Sequence, residues 1–348
     1  MTANRPRPIK KTPPASTGVG PDKPYALISF PKQRPTLKPP VGHHRYADNS
    51  YHGILYLTLR VKTALHISTG IVAMGSDVGS RVPLIKTMVQ GRDKRLLIQG
   101  SSLKGCVRAI YEAITNSTLG VITKKYRQQI PPERRECSDK EKLCPASQIF
   151  GALNWQGLVH FTDAHCQSAQ VGTGFMPSLH APKPDKQNAY YRSDKRLVAG
   201  RKFYYHTIKA VDTGNQGIPV QQAGTDFTFT TQLQVMNLSQ AQLGALLVAL
   251  GQDEQYPIAL KLGGGKPVGL GTVLVEVSRM EITQNVRDRY RQYEVPESAM
   301  VQGQPLKALM QKAIQAAHRE KLIEEPQLKE LSQILQWPTS REAPTGMY

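Results

Sequence analysis

The sequence predicts an α+β domain whose main elements run β-α-β-β-α-β, the ferredoxin-like order that also underlies RRM-like modules. Three observations predict it. Four segments have the alternation or composition of half-buried strands, two others repeat apolar residues at helical spacing behind polar starts, and a glycine-rich turn precedes the last strand.

The first strand starts near Tyr51, where Ile54, Tyr56 and the branched residues through Val61 have strand composition. Gly100-Ser101-Ser102 then opens a helix with Leu103, Val107, Ile110 and Ile114 on one face and a serine as its N-cap. The second strand fits Gly157 to Asp163 (GLVHFTD), and the third fits Asp226 to Val235 (DFTFTTQLQV), where threonine alternates with apolar residues. Ser239 caps a short second helix, QAQLGALLVALG, and Gly271 to Val277 supplies the fourth strand.

This core accounts for residues 51–284, with long insertions at about 117–156 and 167–225. Before it lies a basic, proline-rich arm, residues 1–50. Its first 48 residues hold ten prolines and nine Lys or Arg against two Asp, so an extended arm along a phosphate backbone or a neighbouring subunit and a disordered, solubilising tail both suit it. Residues 285–348 form a helical C-terminal extension, with Leu306, Leu309, Met310 and Ile314 on one stripe and a second helix around Leu328 to Leu335.

With 45 Lys and Arg against 26 Asp and Glu, the chain has a formal net charge of +19. Such a surplus is relieved by a polyanion, and nucleic acid is the first candidate. The start MTANRPRPIKK lacks the apolar stretch of a secretory signal, and the most apolar run, Leu243 to Leu250, falls far below the roughly 20 residues that span a bilayer. A cytoplasmic protein without a membrane segment is therefore expected. Its four cysteines are too few for a disulfide framework. Cys137 and Cys144, with His165 and Cys166 beyond them, have the residue types for zinc but lack a C-x-x-C pair; this argues against a structural zinc without closing the question. Cys106 reads as a small hydrophobe on the first helix.

The segment LGGGKPVGLG, from Leu262 to Gly271, combines five glycines with Lys266. Gly264, Gly265 and Lys266 suit a phosphate cradle of backbone N–H groups and one cation, or simply a tight turn. The lysine follows the glycines in the wrong order for a nucleotide-binding P-loop, which disfavours ATP. Between Met176 and His206, basic residues including Lys183, Arg192, Arg201 and Lys202 interleave with five aromatics, a composition that suits single-stranded RNA. Tyr204 and Tyr205 fit packing under a long loop equally well.

Four motifs in this order, GSSLKG from Gly100, CPASQIFG from Cys144, GLVHFTDA from Gly157 and GGGKPVGLG from Gly263, resemble the RAMP superfamily of CRISPR systems, and in particular backbone-type subunits of type III effector complexes. The resemblance covers roughly Tyr51 to Glu281. It implies a ferredoxin-like core that assembles with other subunits on a guide RNA, holds it without regard to its sequence, and presents it to complementary target RNA. Ser101, Ser102, Lys104 and Arg108 would hold guide phosphate at the helix start, although ordinary capping also explains a serine there. The segments PSLHAPK and GRKFYYH look most like the single-copy subunits at a complex's end.

Members that cut target RNA use an aspartate on the loop after the first strand, with Mg2+ as the implied cofactor. Here that loop, Ser68 to Lys86, has one acidic residue, Asp77, and the matched position falls on Arg81. Asp77 is thus the catalytic candidate, four positions away from the pattern. Two rival functions remain open on sequence alone. One is a repeat-processing endoribonuclease of the same superfamily using His52 or His66 as base, and the other is a basic RNA-binding protein unrelated to CRISPR.

Overall fold

A computed structural model describes residues 24–179, 190–192, 197–283 and 299–344. In chain order the strands are β1 (Tyr25–Ser29), β2 (Tyr51–Val61), β3 (Ser68–Met74), β4 (Leu84–Met88) and β5 (Leu97–Ile98) before helix α1 (Gly100–Ile114). Then come α2 (Pro145–Phe150), β6 (Gly151–Ala152), β7 (Trp155–Gln156), β8 (Val159–Phe161), β9 (Ala164–Cys166), β10 (Gly172–Pro177), β11 (Gly200–Tyr204), β12 (Gly217–Gln222) and β13 (Thr228–Leu238). After α3 (Gln240–Ala249) follow β14 (Leu260–Lys261), β15 (Thr272–Thr283) and β16 (Met300–Val301), with α4 (Gly303–Arg319) and α5 (Glu325–Leu335) last.

The α+β expectation holds. The main sheet runs β14-β15-β2-β13-β9-β5, with β8 also on β13, and every pairing in it is antiparallel. On β2 the period of two sends Leu55, Leu57, Leu59 and Val61 into the core and leaves Tyr56, Thr58 and Arg60 on the opposite face. Helices α1 and α3 cover the apolar side and pack on each other, and the predicted stripe Leu103, Val107, Ile110 and Ile114 is buried. Ser239 forms the expected N-cap of α3, within a capping box completed by Gln242.

The second strand is two short ones, β8 and β9, because Thr162 and Asp163 break the ladder against β13. The start of α1 also differs from the serine cap expected of it. Gln99 occupies the cap position without a side-chain bond, and the Gly100 N–H donates instead to Asp163 Oδ1 at 2.7 Å. A Cβ on Gly100 would lie 2.2 Å from the Phe161 carbonyl oxygen, so this approach admits glycine alone. A carboxylate from the interrupted strand thus takes the place of the serine hydroxyl.

The segment Ser68 to Lys86 is a β3–β4 hairpin closed by a short 3-10 turn at Gly75–Val78, and β4 joins a second sheet ordered β10-β12-β4-β3. Strand β1, inside the proline-rich arm, pairs with β11. Helix α4 packs on α3, while α5 lies against α1, β1 and β11. Among the described residues no helix is long and apolar enough to cross a membrane.

Candidate nucleic-acid interface

The glycine-rich turn is fastened from below. Gly264 N–H donates to the His66 carbonyl at 2.9 Å, Gly271 N–H donates to that of Ala64 at 2.9 Å, and Val268, Gly269 and Leu270 donate within the turn. Gly263 has φ 74, and a Cβ there would meet the His66 oxygen at 2.3 Å. Five loop donors are therefore already engaged, and the turn offers fewer free N–H groups than its glycine content suggests.

What the turn does form is one wall of a cleft of about 540 Å³. Ser102, Gly105, Cys106 and Ala109 of α1 form a second wall, Lys202 and Tyr204 of β11 a third, and Lys261, Leu335 and the start of β3 at Ser68 also line it. Lys266 stands on the turn itself. Lys202 is held among aromatic rings, its Nζ 4.5 Å from the Tyr25 centroid, 4.6 Å from that of Tyr204 and 3.2 Å from the Tyr190 hydroxyl. Burial pushes its pKa down from the ordinary lysine value.

Lys261 is 5% exposed, and burial, followed by the charge of Lys266, lowers its pKa to about 7. Its Nζ donates to the Gly269 carbonyl at 3.1 Å and to Thr272 Oγ1 at 3.4 Å. The chain of donors continues: Thr272 Oγ1 donates to His206 Nδ1 at 2.9 Å, and His206 Nε2 donates to the Ala259 carbonyl at 3.1 Å. This assignment leaves His206 neutral, and burial holds its pKa down at about 3. The folded pKa lies below the unfolded value near 6.5, so the contribution is complete above pH 6.5 and is lost as the pH falls toward 3. Urea titrations at pH 7 and pH 4.5 are expected to show lower stability at the acid pH, and His206→Gln is expected to shrink that difference.

Of the residues singled out in the sequence, Ser102, Cys106, Lys202, Tyr204, Gly264 and Lys266 line this cleft, and Gly265 lies in its glycine turn with φ 68. Ser101 is exposed outside the lining, and Lys104 is half-buried, its pKa lowered by burial and then by Arg108. Arg108 and Arg201 both turn onto Glu112: Arg108 Nε donates to Oε1 at 2.7 Å, and Arg201 bonds Oε2. Their charge answers an internal carboxylate. Arg192 lies 3.7 Å from Glu133, and Lys183 falls outside the described residues. Asp77 is exposed in the turn of the β3–β4 hairpin, away from the cleft lining, with Ser76 Oγ donating to it at 3.3 Å. Among the described residues Asp77 belongs to no group of three His, Cys, Asp or Glu side chains placed to hold a metal.

Lys261 escaped sequence reasoning. It sits in the apolar run IALKLGGG, and only that burial context sets it apart. His66 is fully buried beneath the glycine turn with Nδ1 donating to the Gln221 carbonyl at 2.7 Å, whereas His52 belongs to a separate pocket, so the two histidines do not form a catalytic pair. Cys137 and Cys144 come together, each within 3.4 Å of Thr118 Oγ1, while His165 and Cys166 lie on β9. Among the described residues no group of three His, Cys, Asp or Glu side chains is placed to hold a metal.

No curated protein matches the chain significantly. The family model of the RAMP superfamily does match, over residues 58–274, from within β2 to the start of β15. That span is more than half of the chain and includes α1, β11 and the glycine turn, the three walls of the cleft. The protein therefore belongs to the RAMP superfamily, a family linked to CRISPR RNA binding.

Proposed function

We propose that this chain is a guide-RNA-binding scaffold subunit of a type III CRISPR effector complex, acting in the cytoplasm with other subunits and presenting its guide to target RNA. The observation that carries this reading is the convergence of α1 and the glycine turn, some 160 residues apart in the sequence, on one cleft that also holds Lys202, Lys261 and Lys266. Lys202 and Lys266 supply cationic amines along this cleft, with Lys261 buried behind them, and contacts of amines with phosphates are blind to base identity. The strand order β15-β2-β13-β8 with α1 and α3 on one face supports a ferredoxin-like core.

Target cleavage is not needed for this role. Asp77→Ala in the reconstituted complex is expected to leave the cleavage ladder of complementary target RNA unchanged, with or without magnesium. A lost cut site with target binding intact would make Asp77 catalytic. The RNA that copurifies with the protein separates the main alternatives. A uniform population of guide length is the expected result, whereas precursor repeats would indicate processing and ribosomal RNA a role outside CRISPR.

A further inference from the structure

A second pocket, of about 370 Å³, lies on the face of the main sheet opposite the helices. Its floor is a row across three strands: Ile54 of β2, Gln234 of β13 and His160 of β8 are direct cross-strand neighbours. One wall is the segment carrying His43 and Tyr46, and the other is the end of the β6–β7 hairpin at Gln156. His43 Nε2 reaches the Gln156 carbonyl at 3.2 Å, so the walls meet at one corner.

The first wall is built in place rather than draped. Asn237, 1% exposed with φ 55, accepts the Ala47 N–H on Oδ1 at 2.8 Å and donates Nδ2 to the carbonyls of Gly42 and Arg45 at 2.8 and 2.9 Å. Its own N–H donates to His52 Nδ1 at 3.1 Å. That bond fixes the tautomer of His52, placing the proton on Nε2. His52 is 3% exposed, lines the pocket and meets the Tyr46 ring edge-to-face at 4.9 Å. The Ala47 backbone acts on its ring, yet among the described residues no well-formed hydrogen bond reaches Nε2, which leaves this buried donor open to a better acceptor on a ligand.

We infer that this pocket takes a single unstacked nucleobase of a single-stranded RNA. Tyr46 and His43 provide the aromatic surface, His52 and Gln234 provide hydrogen-bonding groups for a base edge, and Arg45 between the two rings in sequence supplies charge for the adjoining phosphate. The pocket deepens the RNA-binding reading and rests on it. It also adds what the lysine cleft lacks, namely contact with a base.

The test uses the full chain and a uridine homo-oligomer as probe, with an abasic oligomer of the same length as control. Tyr46→Ala and Gln234→Leu both alter exposed side chains, so neither endangers the core. Each is expected to weaken binding of the uridine oligomer about five- to tenfold while leaving the abasic oligomer unaffected. In the wild type, 4-thiouridine in the oligomer is expected to photocrosslink to the segment 43–46 or to His160. Unchanged affinity in both variants, with crosslinks confined to the lysine cleft, would overturn the pocket and leave RNA binding standing. Failure of both oligomers to bind the wild type would overturn the RNA-binding reading itself.

Discussion

Replacing Lys202 and Lys266 together with alanine is expected to weaken binding of single-stranded RNA by about a hundredfold at moderate salt. Both amines line the same cleft, and each phosphate they neutralise adds roughly −0.7 to the slope of log K against log salt. The double variant should therefore lose about 1.4 from that slope, which filter binding across a salt series reads directly. Lys104→Ala, outside the cleft lining, is expected to cost less than about threefold. Equal losses for Lys104 and Lys266 would mean that the chain binds RNA by diffuse charge and that the cleft has no special part. Shuffling the RNA sequence should change little, because amines facing phosphates read no bases.

Glu112→Gln is expected to destabilise the fold by about 3–5 kcal/mol, measured by urea denaturation. The Glu112 side chain is 2% exposed and lies between Arg108 and Arg201, which are themselves mostly buried. Its Oε1 also accepts the Gly120 N–H at 2.9 Å. Glutamine keeps the shape but leaves two guanidinium groups facing each other without an anion, and their desolvation is then uncompensated. A loss below about 1 kcal/mol would show that water reaches this cluster and screens it. Glu112, Arg108 and Arg201 lie outside the cleft lining, so the same variant should weaken RNA binding only as far as it unfolds the chain.

Much of the fold was legible in the sequence because its signals are local. The strand composition of β2, the alternation in β13, the stripe on α1 and the serine cap at Ser239 each lie within a dozen residues, and each is found where the pattern put it. Contacts between distant segments were not legible. Nothing near Gly100 announces that Asp163 caps α1, and nothing near Tyr25 announces its pairing with Tyr204. The same distinction applies to the site. Lys266 is visible because glycines flank it, whereas Lys261 looks like an interruption in an apolar run until burial is known. Arg108 and Arg201 have the composition of phosphate ligands, and only the three-dimensional position of Glu112 reveals what occupies them. The hairpin β3–β4 read as a loop because β3 is mostly exposed and neither strand has a clean apolar alternation.

Strand β1 and helix α5 come from opposite ends of the described chain, and both pack against β11, the strand that carries Lys202 and Tyr204. Gln327 Nε2 donates to the Ser29 carbonyl at 3.3 Å, tying the two directly, and Leu335 contributes to the cleft lining. During synthesis earlier residues leave the ribosome first, so the three walls of the cleft emerge before Leu335, which joins its lining from helix α5. A chain that stops before residue 325 thus lacks both helix α5 and the part of the cleft lining that Leu335 supplies.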